Sequence, residues 1–133
     1  MKPRLDLTEF PLVVITYAAS MTAQEADTYG VELATLLARG KVGSVVDLRA
    51  VDTARVSASD RAYIAKVVDS VTKRYANTLL AEAIVLDSTV LRCMYTAYSW
   101  LRVDRSYHSH AFGNVAEAKA WVREQLRQRG VTA

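Results

Sequence analysis

Hydroxyl and carboxylate side chains in two loops are the first candidates for chemistry, because each loop follows an apolar run. One loop carries Ser57 and Ser59, and the other carries Ser88 and Thr89 directly after Asp87. A hydroxyl in such a place can be a nucleophile, a phosphate acceptor or a helix N-cap. The sequence around each loop has to decide among these three roles.

Nucleophilic catalysis by Ser88 has little support in the sequence. It would need a general base within hydrogen-bond reach and an oxyanion hole. His108 and His110 are the two histidines of the chain, and no Gly-x-Ser-x-Gly elbow surrounds Ser88. We therefore expect Ser88 and Thr89 to begin a helix and expect no enzymatic activity. A small hydrolase that uses Ser88 remains an alternative function.

Metal binding is also poorly supported. His108 and His110 lie two residues apart on a predicted strand, so they project from the same face. A structural zinc site needs four protein ligands and a catalytic site needs three. The single cysteine, Cys93, is expected to be a buried helical thiol; it excludes an intrachain disulfide and fits a reducing compartment. We predict no metal site and no cofactor.

The composition is that of an ordinary globular chain. Its 133 residues are 51% hydrophobic and 23% charged, which predicts a single domain over residues 1–133. The net charge of +3 is spread without a basic block, so we expect no nucleic-acid partner. The N-terminus imitates a signal peptide, but Asp6 and Glu9 interrupt it, and no run is long enough for membrane insertion. We expect a cytoplasmic location.

Apolar runs typical of buried strands alternate with runs of helical period, which predicts an α/β fold. Strand–helix units imply right-handed crossovers and a mostly parallel sheet of four to five strands with four helices. The segment "RLDL" before Pro11 is expected to add an antiparallel edge strand. The predicted strands cover residues 11–18, 42–50, 81–88 and 107–112, and the predicted helices cover 22–40, 57–75, 89–101 and 114–130.

Two predicted strands end in an aspartate followed by a loop and a helix. These aspartates are Asp47 and Asp87. Because the carboxyl ends of parallel strands meet at one edge of a sheet, both acids and the hydroxyls that follow them should lie there. That edge is the usual place for a ligand in an open α/β sheet.

The order of these segments resembles the STAS superfamily, and in particular its SpoIIAA-like bacterial branch. The matching phrases are "SVVDLRAV" (44–51), "AIVLDS" (83–88), "AF" (111–112) and "EAKAWV" (117–122). The resemblance implies a STAS-like regulatory module that works by protein–protein contact. It also implies a phosphorylatable residue after the "DL" strand, where Ser57 and Ser59 fall. Here no glycine follows, and Asp60-Arg61 stands where the family has small residues.

The predicted third helix is apolar around much of its circumference. Such a helix is either doubly buried or covered by a partner or ligand. Methionine and aromatic residues are favoured in interface cores. We therefore expect this helix to bind a protein partner, with a homodimer as the expected assembly. The alternative is an apolar small molecule or lipid between this helix and the sheet. The expected binding residues are Met94, Tyr98, Trp100 and Leu101.

Overall fold

A five-stranded sheet lies at the centre of the computed structural model, which describes residues 1–87, 89 and 108–131. Strands adjacent in sequence are adjacent in the sheet. The first strand is antiparallel to the second, and the remaining three pairings are parallel. In their order across the sheet the strands are β1 (Arg4–Asp6), β2 (Leu12–Thr16), β3 (Val42–Asp47), β4 (Leu79–Val85) and β5 (His108–Phe112).

Three α-helices cover the two faces of this sheet within the described residues. They are α1 (Ala23–Ala38), α2 (Ala58–Arg74) and α3 (Val115–Gln128). Helices α1 and α2 connect parallel neighbouring strands, so right-handed crossovers put both on the same face, where they pack against each other. Helix α3 covers the opposite face and contacts β3 and β4.

Each of these three helices begins at a side-chain cap that the sequence predicts. The Thr22 hydroxyl accepts the Glu25 N–H at 3.1 Å, and the Glu25 carboxylate accepts the Thr22 N–H at 3.0 Å. Ser57 caps α2, and Asn114 caps α3. These contacts satisfy N–H groups that have no partner within the helix. The predicted capping box at Thr22 and the predicted cap in the Ser57 segment are confirmed.

Side-chain alternation along the strands divides the core into two layers. The layer under α1 and α2 includes Ile15, Val46 and Ile84, whereas the layer under α3 includes Val45 and Ala83. Successive residues of a strand point to opposite faces, so neighbours such as Val45 and Val46 belong to different layers. The predicted inner face of α1 is confirmed, since its members are all buried: Ala26, Tyr29, Leu33, Leu36 and Leu37.

The α/β class, the mostly parallel sheet and the antiparallel edge strand are confirmed. Strand β4 begins at Leu79, two residues before the predicted start, because a register shift next to Val42 lets Leu79 pair with it. Strand β3 ends at Asp47, after which the Val51 N–H donates to the Leu48 carbonyl in a turn. The predicted helix 89–101 lies outside the described residues except for Thr89, which is helical.

Among the helices of the described ranges, none combines the length and apolar composition that crossing a bilayer requires.

Candidate functional site

An apolar cavity lies between the sheet and the helix pair α1–α2. Its volume is about 170 Å³. A cavity of about 150 Å³ with an apolar lining is large enough to hold benzene. The described wall comes from the sheet, both helices and two loops. Its apolar members include Ile15, Leu33, Val46, Val56, Ile64, Val68, Ile84 and Leu86.

The sheet part of the wall follows from strand register. Ile15, Val46, Ile84 and Ala111 are partners across β2, β3, β4 and β5, and therefore form one apolar row on this face. Side chains two residues earlier on each strand point to the same face. The next row is Val13, Ser44, Glu82 and Ser109.

This second row places polar side chains in the middle of an apolar face. Ser44 is 4% exposed and Glu82 is 7% exposed, and both line the cavity. The Ser109 hydroxyl donates to the Glu82 carboxylate over a long 3.4 Å. The Ser44 hydroxyl has no hydrogen-bond partner among the described residues. The wall therefore contains a carboxylate and a hydroxyl side by side within an otherwise mainly apolar lining.

Two loops at the carboxyl edge of the sheet close one end of the cavity. Tyr17 and Met21 line it from the loop after β2, and Val51 lines it from the loop after β3. The loops are joined by a hydrogen bond from Asp52 N–H to Ala19 C=O at 2.9 Å. This hydrogen bond connects the two loops at that end of the cavity.

Arg61 completes this end from the first turns of α2. One guanidinium nitrogen donates to the Val56 carbonyl at 2.8 Å, while the residue as a whole stays exposed. Among the described lining residues, Arg61 is the one base and Glu82 the one acid. The acid lies deep in the cavity and the base lies toward solvent.

The two predicted aspartates at the carboxyl edge come close to a common partner, Arg49. Its guanidinium donates two hydrogen bonds to the Asp47 carboxylate, at 3.0 and 2.9 Å. Those bonds hold the pKa of Asp47 below its ordinary value and raise the pKa of Arg49, to which the nearby charge of Asp87 also contributes. Asp47 is thus an ion-paired carboxylate, which makes it an anchor for the loop and a poor proton acceptor.

Ser57 and Ser59 lie together at the exposed start of α2. Their hydroxyl oxygens are 3.1 Å apart, and the Ser57 oxygen also accepts the Asp60 N–H at 3.1 Å. Ser57 therefore has a structural role as the N-cap. Both hydroxyls remain accessible at the positive end of a helix dipole, the position predicted for a phosphorylated residue.

His110 belongs to an aromatic cluster on the face that α3 covers. Its ring stacks on Trp121 with centroids 5.9 Å apart and lies 5.0 Å from the Phe112 ring. Within the described residues there is no group of three His, Cys, Asp or Glu side chains that could hold a metal ion. The contacts of His110 are those of a packing residue.

Several predicted site residues fall on the part of the chain that is not described. They are Ser88, Cys93, Met94, Tyr98, Trp100 and Leu101. The interface or pocket expected of the third helix therefore stays a prediction.

Ser44 and Glu82 are the site residues that reasoning from the sequence missed. Each is a polar residue inside an apolar strand segment, in "VGSVVD" and "LLAEAIV" respectively. Buried strands with one polar member are a usable signal, because burying a carboxylate is costly unless it has partners. Their juxtaposition requires the strand register, which the sequence does not display.

Comparison with known proteins gives no match: no family model fits the chain, and no curated protein or solved structure is significantly similar to it.

Proposed function

We propose that this protein is a non-enzymatic binding module that takes up a small, mainly apolar molecule. The observation that carries the proposal is the cavity of about 170 Å³ under α1 and α2. Protein interiors are normally packed without voids of this size, and an unfilled void costs stability. One end of this space lies at the carboxyl edge of the sheet, where α/β proteins bind ligands, and the space is best explained by an occupant.

The size of the cavity limits the size of the occupant. It suits a molecule slightly larger than benzene and is too small for a whole lipid. A ring of that size buries about 200 Å² of apolar surface, which at about 25 cal/mol per Å² contributes about 5 kcal/mol. This corresponds to a dissociation constant of about 0.2 mM for an apolar probe with no polar contact.

Ethylbenzene is a suitable probe, and Val46→Phe is a suitable blocking variant. Val46 lines the cavity, so the larger ring should fill it, abolish ethylbenzene binding and leave the unfolding temperature unchanged or raised. Val31→Phe is the matched control, because Val31 is 68% exposed on α1 and does not line this cavity. Binding is measured by ligand-observed NMR and by titration calorimetry.

The wild-type protein and Val31→Phe should bind ethylbenzene, whereas Val46→Phe should not. Failure of the wild-type protein to bind near the solubility limit of the probe would refute the proposal. Equal binding by Val46→Phe and the wild-type protein would refute it as well, since the probe would then occupy some other place.

The second candidate is a STAS-like regulatory module of the cytoplasm that acts by protein–protein contact. The order of strands and helices along the chain is compatible with the resemblance. The specific observation in its favour is the exposed Ser57–Ser59 pair at the start of α2, next to Val56 and Arg61 of the cavity wall. A phosphate added there would meet the helix dipole and neighbouring arginines, and could change both the surface and the cavity mouth.

Phosphopeptide mapping of protein from its native cells tests this directly, and absence of phosphate on both serines under all growth conditions counts against it.

The homodimer expected of this module depends on the third helix. Met94→Ala and Trp100→Ala are each to be compared with wild type by sedimentation and thermal melting. If the wild-type protein is a dimer, one of the two should weaken the dimer while the monomer stays folded. An unchanged monomer with a lower melting temperature in both variants would identify these side chains as ordinary core.

A further inference from the structure

Ser44 gives the cavity a chemical preference as well as a size. Its side chain is more than nine-tenths buried and lines the cavity. On β3 it lies between Val42 and Val46, which project from the same face of the sheet and line the same space. The Ser44 hydroxyl is therefore a polar group set between apolar side chains along this strand.

The other buried polar side chains of the described wall have partners within the protein. They are Thr72 and Glu82. The Thr72 hydroxyl donates to the Asp69 carbonyl at 3.2 Å. Glu82 accepts from Ser109 and takes part in a further interaction within the protein. Each of these two polar groups is thus compensated by the chain itself.

The Ser44 hydroxyl differs from them, because it neither donates to nor accepts from any described residue. Buried hydroxyl groups are normally hydrogen-bonded, since an unsatisfied one loses its hydration without compensation. A hydroxyl that is buried at the wall of a cavity and has no described partner in the protein indicates a partner inside the cavity.

The donor of the Ser44 hydroxyl decides what that partner must offer. In protein interiors, buried backbone donors are left without a partner more rarely than buried acceptors, so satisfying the O–H is the stronger requirement. A carbonyl group of a ligand accepts this O–H and brings no donor that needs an acceptor of its own. A ligand hydroxyl would bring a second O–H, and a charged group would need more compensation than one hydroxyl provides.

We propose that the cavity takes a small ketone or aldehyde, whose carbonyl oxygen accepts the Ser44 O–H and whose hydrocarbon part packs against Val42 and Val46. This inference rests on the proposed ligand-binding function and names the chemical class of the ligand. The cavity volume of about 170 Å³ limits the hydrocarbon part to about the size of one six-membered ring.

Cyclohexanone and methylenecyclohexane form a matched pair of probes, because they differ only in the oxygen atom that replaces a terminal CH₂ group. The wild-type protein should bind both, as measured by ligand-observed NMR titration. Ser44→Ala should weaken cyclohexanone binding about 3- to 10-fold, which is the loss expected for one neutral hydrogen bond, and should change methylenecyclohexane binding by less than about twofold. Ser70→Ala is the control and should affect neither probe, because Ser70 is exposed on α2 and does not line this cavity.

A measurement without any probe tests whether the Ser44 hydroxyl lacks a partner in the protein. Ser44→Ala should leave the midpoint of urea unfolding unchanged or raise it, because the substitution removes a buried polar group that makes no hydrogen bond. A clear fall in the midpoint, or a variant that does not fold, would show that the protein itself satisfies this hydroxyl and would overturn the inference.

The results separate this inference from the function on which it rests. If both probes bind and Ser44→Ala affects them equally, the cavity binds apolar molecules and the carbonyl preference is refuted; a water molecule bound to Ser44 would give this result. Binding of methylenecyclohexane without binding of cyclohexanone refutes the preference as well. If neither of these probes nor ethylbenzene binds, the proposed ligand-binding function itself fails.

Discussion

Substitution of Gly43 tests how closely α3 packs on the sheet. Gly43 lies on β3 with no side chain, and a Cβ atom built there would be 2.5 Å from Val122 Cγ1 and 3.3 Å from Leu126 Cγ. The first separation is far below van der Waals contact, so Gly43→Ala must displace α3 or force Val122 into another rotamer. Gly43 has no positive φ, so alanine fits the backbone and the effect should come from packing alone.

The expected magnitude follows from two opposing effects. Overpacking of a close-packed core costs about 1–3 kcal/mol, while alanine reduces the entropy of the unfolded chain and returns about 0.4–1 kcal/mol. Gly43→Ala should therefore lower the free energy of unfolding by about 1–2 kcal/mol. Val122→Ala removes two buried methyl groups and should cost about 2–3 kcal/mol.

The double variant is the decisive measurement, because the Cβ atom introduced by Gly43→Ala would enter the space that Val122 Cγ1 vacates. We expect a favourable coupling of about 1–2 kcal/mol in urea denaturation, so that the double variant is little worse than Val122→Ala alone. Gly40→Ala is the control: Gly40 has φ +144° and no atom within 4 Å of a Cβ, so its cost is backbone strain and should add to that of Val122→Ala. Additivity of Gly43→Ala with Val122→Ala within about 0.5 kcal/mol would refute the packing argument.

Two further predictions concern the carboxyl edge of the sheet and the start of α2. Ser57→Ala should lower the free energy of unfolding by about 1 kcal/mol, because the Asp60 N–H loses its acceptor. Ser59→Ala is the control and should lower the free energy of unfolding clearly less. Equal losses in urea denaturation would contradict the assignment of Ser57 as the cap. Arg49→Met should destabilise the fold at neutral pH, because Asp47 then lacks the guanidinium that lowers its pKa. A carboxyl group whose pKa is lowered in the folded state stabilises the fold above its unfolded pKa of about 3.9, and this stabilisation is lost as pH falls through the folded value. The free energies of unfolding of wild type and variant should therefore converge in strong acid. A difference between them that does not depend on pH would show that the ion pair does not cause the destabilisation.

Within the described residues, local patterns in the sequence were sufficient to predict which elements form and where the helices begin. The buried apolar residues of α1 recur every three to four positions, and its capping box pairs Thr22 with Glu25 over one turn. Both patterns can therefore be recognised within a short stretch of chain. The alternation of strands with helices likewise indicated parallel strands, since a parallel pair needs a crossover connection. Ends that depend on a partner strand were less accurate: β4 starts at Leu79 because Val42 pairs with it.

The candidate site was decided by the tertiary structure. Ser44 and Glu82 lie on different strands that are separated in the chain by a whole helix. The sequence around each of them does not indicate which residues of β3 and β4 face each other. A shift of one residue in that pairing would turn Glu82 away from the Ser44 side chain. The cavity depends on how far α1 and α2 stand from the sheet, which is set by many side-chain volumes at once. The sequence determined the helices and strands because helix capping and hydrophobic periodicity involve residues that are close together in the chain. Strand register and helix packing create the cavity and place Ser44 beside Glu82. They involve residues that only the folded chain brings together.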